Sequence, residues 1–286
     1  GCERRCSFCI VPSLRGRERS SPAPEVEEAV HALGAAGVPE VVLCGVHLAA
    51  FGNERGESLV GLLDRLERRP PSCRVRLSSL EPMEAGEALV DLVAGSRVVA
   101  PHLHLPLQSG SDAVLRRMRR GMTASRFRAL LLRAAGANPR IHLATDVIAG
   151  FPGETPGEFA QTEALLQDLP LASLHVFPFS PRTGTAAAGL AATAAVPRAA
   201  VTRRAARLRA LDRAIRRRYA ASHDGLTADL VSLHGGVGLT ETYVEAALPP
   251  SAPPPGARFV SRLALRPDGT LEALPAGPPP DRLHGF

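Results

Sequence analysis

The sequence predicts an α/β fold of parallel strands followed by a small all-β domain. Over the first two-thirds of the chain, apolar strand patterns alternate with capped helical patterns. Beyond His223 the pattern changes to short alternating strands separated by glycine and proline turns. With 286 residues, 45% of them hydrophobic and 22% charged, the chain is a globular protein that can form one barrel-sized domain and one small domain.

The strand–helix alternation begins after the first twenty residues. Residues 24–37 have proline and acids at their start and glycine at their end, which predicts a helix, and residues 40–45 are typical of a buried parallel strand. Such units connect right-handedly and place sites on the loops after the strands. Later helix and strand pairs are predicted at 58–69 and 73–80, 86–95 and 102–107, 123–136 and 141–150, and 155–169 and 173–180, with Thr123 as an N-cap and Gly136 just past its helix.

Three of the five cysteines lie within nine residues, at Cys2, Cys6 and Cys9. An odd number of cysteines argues against a disulfide framework and favours metal or redox chemistry. A structural zinc site would need a fourth ligand, and its nearest candidates, His31 and Cys44, lie far along the chain. A [4Fe–4S] cluster held by three thiolates leaves one iron open to a small molecule. The spacing therefore predicts a catalytic cluster, with a structural zinc site as the alternative.

The C-x3-C-x2-C pattern, with Phe8 before its last cysteine, resembles the signature of radical S-adenosylmethionine (SAM) enzymes. Four longer segments are similar to the methylthiotransferases, which modify tRNA or a ribosomal protein: CSFCIVPSLRGRERS, HLHLPLQSGSDAVLRRMRRGMT, TDVIAGFPGET and HVFPFSPRTGT. The form HLHLPLQSGS, with GVHLAAFG and RLSSLEP upstream, is most similar to the branch that acts on N6-threonylcarbamoyladenosine in tRNA. The resemblance covers essentially the whole chain.

This resemblance implies a fold and two cofactors. The fold is an open (β/α)6 radical SAM barrel, here partial because the first strand is expected to precede the cysteine loop. The open iron of the [4Fe–4S] cluster binds SAM, and an electron splits SAM to give a 5′-deoxyadenosyl radical that abstracts hydrogen. The family also implies a second [4Fe–4S] cluster on an N-terminal domain that we expect to be missing here. Cys44 and Cys73 cannot replace its ligands, since both are predicted to be small core residues.

Four residues are expected to contact the cofactor. Phe8 belongs to the cysteine motif, and Gly45 follows a strand at the place where the resemblance brings backbone against the methionine end of SAM. A simple strand-end turn is an equal alternative for Gly45. Gln108, at a strand's C-terminal end, is placed to hydrogen-bond SAM or substrate, and by resemblance the strand ending at Gly150 contacts the adenine. Four strand histidines are interpreted as packing or hydrogen-bonding residues: His102, His104, His142 and His175.

Basic residues predict contact with RNA. The net charge is +6, although all 34 basic residues are arginine, so composition alone is a weak indicator. Arg15, Arg17 and Arg19 follow the cysteines, and Arg119 lies in the segment RRMRRG at a predicted helix end. Residues 203–220 form a basic amphipathic helix that is predicted to join two domains, with Leu208, Leu211 and Ile215 as its apolar stripe.

The predicted domains are residues 1–222 and 223–286. The second resembles the TRAM domain, a small RNA-binding β-barrel, with strands in 226–248 and 257–274 and a proline-rich loop at 249–256. It departs from the usual pattern because lysine is absent and aromatic residues are few, with Tyr243 and Phe259 in the predicted strands.

Together these features predict a tRNA methylthiotransferase that converts N6-threonylcarbamoyladenosine at position 37 to its 2-methylthio derivative. Cys2, Cys6 and Cys9 would hold its cluster. The alternatives are the sister enzyme that modifies an aspartate of a ribosomal protein and a noncatalytic RNA-binding protein with a zinc-stabilised loop. The expected partners are tRNA, a reductant such as flavodoxin or ferredoxin and a sulfur donor, with no membrane. A monomer in the cytoplasm is expected.

Overall fold

A computed structural model describes residues 1–275 of the chain. The chain divides into two compact units, Gly1–Arg216 and Arg217–Phe286, and the division falls inside a long helix. The domain limits predicted at residues 222 and 223 stay a prediction, and the last eleven residues of the predicted second domain lie outside the described part.

The first unit alternates parallel strands with helices. Its strands are β1 (Glu40–Leu43), β2 (Arg74–Leu77), β3 (His102–His104), β4 (His142–Ala149) and β5 (Ser173–Pro178). Its helices are α1 (Val11–Arg15), α2 (Ala23–Ala35), α3 (Leu59–Arg68), α4 (Pro82–Gly95), α5 (Asp112–Arg117), α6 (Ala124–Ala137), α7 (Pro156–Asp168), α8 (Ala186–Ala194) and α9 (Arg198–Ala221), which continues into the second unit. Two short 3-10 helices, Leu48–Ala50 and Asn53–Arg55, follow β1.

Side-chain caps fix several helix starts. The hydroxyl of Thr123 accepts a hydrogen bond from the Arg126 N–H, as predicted for an N-cap. A reciprocal capping box joins Thr155 and Glu158 at the start of α7. The prediction that Gly136 lies just past its helix was wrong, because α6 continues to Ala137 before ending.

The parallel strands pair in two groups, β1 with β2 and β3 with β4 with β5. An isolated parallel bridge between Val75 and Val99 links the groups. Alternation along the strands sends one set of side chains, such as Val75, Leu103 and Val147, into the apolar core that includes helix residues. The opposite set forms what we call the inner face, and it is largely polar: Glu40, Val42, Arg74, Arg76, His102, His104, His142, Ala144, Asp146, Ile148, Ser173, His175 and Phe177.

The second unit is a closed five-stranded barrel in the order β10-β8-β7-β6-β9. Its interior is filled by small and branched apolar side chains, including Leu230, Ala246 and Leu263. The predicted proline-rich loop at 249–256 is confirmed, since it lies outside the strands. The strands are β6 (Thr227–Leu233), β7 (Val237–Thr240), β8 (Glu245–Ala247), β9 (Arg258–Leu265) and β10 (Leu271–Ala273).

Among residues 1–275, no helix combines the length and the apolar character needed to cross a membrane.

Candidate metal centre

The three cysteines lie on the loop that precedes α1, and each is partly exposed. The Cys9 N–H donates to the Cys6 carbonyl at 3.1 Å, and the Cys2 N–H donates to the Gly16 carbonyl at 3.1 Å. Burial raises the pKa of the Cys2 thiol, and the neighbouring charges of Glu18, Cys6 and Cys9 raise it further. The loop therefore brings three thiols close enough to repel one another as thiolates, which a bound cation would relieve.

The three thiols are not gathered as tightly as the ligands of a single ion. Sulfur atoms around one tetrahedral zinc lie roughly 3.8 Å apart, given a Zn–S bond of about 2.3 Å. Among the described residues, the groups whose ligand atoms all lie within 4.8 Å of one another do not include the three thiols together. Cys2 falls instead in such a group with Glu18 and His47. Cysteine thiolates are the ligands of iron–sulfur clusters, so this donor set fits a multi-iron cluster held by Cys2, Cys6 and Cys9.

Backbone hydrogen bonds anchor the cysteine loop to the rest of the first unit. The Ser7 N–H donates to the Met118 carbonyl at 3.0 Å, and the Ser7 hydroxyl donates to the Arg117 carbonyl at 2.8 Å. The Ala187 N–H donates to the Ser7 carbonyl at 2.8 Å. Phe8 packs against the apolar cluster of Val114, Met118, Phe151 and Ala187. The structure thus shows Phe8 anchoring the loop, while its predicted contact with the cofactor stays a prediction.

A buried arginine lies beside the thiols, and sequence reasoning did not single it out. Nη1 of Arg120 lies 3.8 Å from the Cys6 sulfur and 2.5 Å from Oε2 of Glu81. Nη2 of the same guanidinium donates to the Pro106 carbonyl at 2.6 Å. Held this way, Arg120 offers a charge-assisted hydrogen bond to the Cys6 thiolate. In the sequence, only the position of Arg120 in the basic segment RRMRRG set it apart.

The histidine beside the cysteine loop is His47. Neither His31 nor Cys44, the candidates for a fourth zinc ligand, occupies that position. Nδ1 of His47 lies 2.6 Å from Oε1 of Glu18 and 3.9 Å from the Cys2 sulfur, and its Nε2 lies 3.6 Å from Oε2 of Glu84. The carboxylates of Glu84 and Glu18 raise the pKa of His47 against the opposing effect of burial. These acids and His47 come from separate segments, so no local motif could have grouped them.

Gly45 lies on a cavity next to the cysteine loop, together with Gly1, Glu18 and His47. Its backbone is not left-handed, and an added Cβ would lie 3.4 Å from the Leu48 Cα, an ordinary contact. The turn itself therefore does not require glycine, which favours close approach of a ligand over the strand-end alternative.

The core prediction for the two remaining cysteines is half right. Cys73 is buried and its thiol lies 3.6 Å from the Val30 carbonyl. Cys44 is exposed, because it follows the last residue of β1 on the side of the inner face.

Gln108 follows β3 in a left-handed conformation, with a φ of 77°. Its N–H donates to the Asp146 carbonyl at 2.8 Å, and its carbonyl accepts from the Ile148 N–H at 2.9 Å. A non-glycine residue with this φ is uncommon and marks a constrained, often functional position. The side chain remains partly exposed, available for the predicted contact with SAM or substrate.

At position 150, packing inside the protein explains the need for glycine. Its φ is 79°, and an added Cβ would lie 2.5 Å from Cγ2 of Val201. Its N–H donates to Oε2 of Glu154 at 2.9 Å, and the same oxygen pairs with the buried Arg204 at 2.5 Å. The fold alone therefore requires glycine here, and the adenine contact at this position stays a prediction.

The arginines predicted to bind RNA are all exposed. Arg15 ends α1, Arg17 pairs with Glu3 at 3.1 Å, and Arg19 follows on the same segment. Arg119 has a left-handed φ of 56° and immediately precedes Arg120, so it lies next to the cysteine loop. Their RNA contacts stay a prediction.

A sequence model of the family described as "Radical SAM superfamily" matches residues 1–166, which include the cysteine loop and four of the five parallel strands. The chain belongs to the radical SAM superfamily, whose members use a [4Fe–4S] cluster and SAM.

More particular likenesses are to curated relatives. A "tRNA-2-methylthio-N(6)-dimethylallyladenosine synthase" of Anaeromyxobacter sp. (strain K) is 38% identical over 92% of this chain and 59% of its own length. The "threonylcarbamoyladenosine tRNA methylthiotransferase MtaB" of Bacillus subtilis is 36% identical over 81% of this chain and 51% of its own length. The chain thus spans about half the length of the relatives it matches.

The fold is also that of a solved structure. The radical SAM methyltransferase TsrM from Kitasatospora setae superposes with a TM-score of 0.56 at 17% identity, covering 69% of this chain and 39% of TsrM. At this identity the likeness establishes the α/β barrel fold alone.

Proposed function

We propose that this chain is the radical SAM core of a tRNA methylthiotransferase that acts on N6-threonylcarbamoyladenosine at position 37 and forms its 2-methylthio derivative. The observation that carries the proposal is a cysteine loop whose thiols fit a cluster, on a chain 36–38% identical to two relatives named for tRNA methylthiolation. When bound, the cluster and SAM supply a radical that abstracts hydrogen from the substrate.

The chain's own residues hold and orient these groups. Cys2, Cys6 and Cys9 are the ligands, and Arg120 supports the Cys6 thiolate with a hydrogen bond. Gly45 gives a ligand close access to backbone on the neighbouring cavity. Gln108 offers its side-chain amide from a backbone that is fixed on β4. A backbone fixed in this way limits the conformational freedom of the side chain that it orients.

The polar inner face favours a substrate with a threonylcarbamoyl group on N6 over one with an apolar group there. Arg74 and Arg76 are buried there and share one carboxylate, Glu40, at distances of 2.5 and 2.7 Å. The face carries two arginines, two acids and four histidines, and a threonylcarbamoyl group brings a carboxylate and hydrogen-bonding groups of its own. Such a group gains from polar and charged surroundings, whereas a dimethylallyl group has no polar atom to pair.

The second candidate is N6-dimethylallyladenosine. It is favoured by the name of the Anaeromyxobacter relative, which matches 92% of this chain. The two candidates share the same site and chemistry and differ in the substituent on N6, so substrate choice separates them.

We further propose that the inserted sulfur comes from a second cluster on another domain. The chain has five cysteines, and beyond the loop only the exposed Cys44 and the buried Cys73 remain, on different faces of the sheet. These two thiols cannot hold a second cluster of their own.

The test is anaerobic reconstitution of residues 1–286, followed by reduction with dithionite. The chain alone is expected to form 5′-deoxyadenosine from SAM and no methylthiolated tRNA. Adding the N-terminal domain of a methylthiotransferase relative should give product on tRNA that bears threonylcarbamoyladenosine, read by mass spectrometry of digested nucleosides. Product only on dimethylallyl tRNA would select the second candidate, and absence of 5′-deoxyadenosine would reject the radical core.

A further inference from the structure

A second polar group lies on the inner face, away from the cysteines. Oδ1 of Asp146 lies 2.8 Å from Nε2 of His104 and 3.1 Å from Nδ1 of His175. Nδ1 of His104 in turn lies 2.6 Å from the Ser79 hydroxyl. The three residues come from β3, β4 and β5, and parallel register places Asp146 beside His175.

This arrangement orients one imidazole toward open space. Because the Asp146 carboxylate only accepts hydrogen bonds, the facing nitrogens of both histidines carry the protons. His104 is then engaged at both nitrogens, whereas His175 is engaged at Nδ1 alone. Among the described residues, none is hydrogen-bonded to Nε2 of His175, and 47% of this side chain is exposed. Nε2 is therefore a fixed polar atom that an incoming molecule can reach.

An exposed aromatic ring lies next to His175 on the same face of β5. Phe177 follows His175 by two residues, so both side chains point to the inner face, and it is 51% exposed. A phenylalanine so exposed on a sheet face loses apolar burial unless a partner covers it. A hydrogen-bonding atom beside an open aromatic ring is the combination that recognises a nucleobase by its edge and by its π-face.

We propose that His175 and Phe177 bind the adenine base of the substrate RNA, His175 at the base edge and Phe177 by stacking. The inference rests on the proposed function and names a binding subsite for its substrate. The geometry favours the substrate base over the adenine of SAM. Asp146 lies four residues before Gly150 on β4, which is roughly 13 Å along a strand, and His175 pairs with Asp146 in the register. Both side chains therefore lie deeper in the inner face than the strand end predicted to contact the SAM adenine, and Phe177, paired with Ile148, lies between these two levels.

A metal ion is the competing occupant, since the three side chains offer ligand atoms within 4.8 Å of one another. A metal would have to displace both protons that Oδ1 of Asp146 accepts, because the histidine nitrogens that carry them would have to become the metal ligands. The hydrogen-bonded arrangement leaves Nε2 of His175 as one oriented polar atom for a ligand, which favours the base.

The experiment measures binding to two anticodon stem–loop RNAs by the cluster-loaded chain. One RNA carries adenosine at position 37 and the other carries uridine there. The wild-type chain should prefer the adenosine RNA, and His175→Ala should reduce that preference about tenfold, while His175→Gln, which keeps a polar atom, should recover part of it. Phe177→Ala should weaken the adenosine RNA roughly tenfold and Phe177→Tyr should not. The control is His31→Ala, which removes a partly exposed histidine of the helix α2, away from the inner face.

The outcomes separate the two proposals. Variants that weaken both RNAs equally, or that leave the adenosine preference intact, overturn the subsite while the proposed function stands. Weaker SAM binding in the variants with unchanged RNA preference assigns these residues to the cofactor and also overturns the subsite. Zinc bound stoichiometrically by wild type and lost in His175→Ala assigns a metal site instead. Failure of wild type to bind either RNA rejects the subsite together with the tRNA substrate.

Discussion

The two units of this chain use the interior of a β-structure in opposite ways. In the first, a parallel sheet keeps one face open, and that face carries two arginines, four histidines and two acids. In the second, five strands close on themselves, and the apolar cluster that they enclose consists of alanine and leucine. Charged groups survive on the open face because they find partners there, such as Glu40 with Arg74 and Arg76.

The difference shows where each architecture can place chemistry. A parallel sheet ends its strands together, so loops after the strands can position a cysteine loop, Gly45 and Gln108 at one edge. A closed five-stranded barrel has an interior too narrow for a ligand, and it is filled by packing. Its surface and loops are what remain for binding.

The largest expected effect concerns the open unit. Replacing Cys2, Cys6 and Cys9 together by alanine should remove all cluster iron and sulfide from the reconstituted chain, because no other thiols lie on the loop. Iron and sulfide analysis measures it. The paired control is Cys44→Ala with Cys73→Ala, which should retain the cluster. Iron retained in the triple variant would place the metal elsewhere in the chain.

In the closed unit, the corresponding large effect is on stability. Leu263 is fully buried in β9, and Leu263→Ala should lower the free energy of unfolding of this unit by about 3 kcal/mol through lost burial and a cavity. Val260, on the same strand and 66% exposed, is the control, and Val260→Ala should change stability by less than about 0.5 kcal/mol. Urea unfolding measures both. Equal effects of the two changes would mean that the barrel interior is not packed as described.

A smaller effect should depend on pH. Burial raises the pKa of Asp146, but hydrogen bonds from His104 and His175 outweigh it and lower the pKa from 3.8 to about 2. The carboxylate therefore stabilises the fold above pH 4 by about 2 kcal/mol and loses this contribution as pH falls toward 2. The hydrogen bond to Asp146 also raises the pKa of His175, so that its contribution is complete below about pH 6.5 and fades as pH rises through the raised value.

The stability gap between wild type and Asp146→Asn should accordingly be widest between about pH 4 and 6.5. Unfolding free energies from denaturant titrations across this range measure it. Asp168→Asn, which removes an exposed carboxyl, serves as the control. A gap that does not narrow toward pH 2 would contradict the hydrogen-bonded carboxylate.

The smallest expected effect is on the salt dependence of tRNA binding, and it concerns three exposed arginines. If Arg15, Arg17 and Arg19 each contact an RNA phosphate, replacing all three by alanine should lower the slope of log affinity against log salt by roughly 2 to 3. Arg68 and Arg126 lie on α3 and α6 and Arg97 lies on the loop after α4; all three are exposed, so their triple alanine variant carries the same charge change as a control. Filter binding of tRNA at several salt concentrations measures the slopes. Equal slopes for the two triple variants would remove the predicted role.

Periodicity predicted the strands and helices well because both are set by local patterns. All five predicted parallel strands are confirmed, and so is the helix over 203–220 with Leu208 and Ile215 buried. The errors arise at positions where the local pattern does not determine the end of a helix or the burial of a side chain. Gly136 is tolerated inside α6, and Cys44 continues an apolar strand pattern yet is exposed on the open face.

The sequence by itself determined the cysteine spacing, the order of strands and helices and hence the radical SAM class, because each is encoded within a few consecutive residues. Only the tertiary structure decided which distant side chains meet. Arg120 reaches Cys6 across 114 residues, His47 reaches Cys2 across 45, and Asp146 joins His104 and His175 across three strands. These groupings depend on strand register and helix packing, which long-range burial sets and no local stretch of sequence specifies.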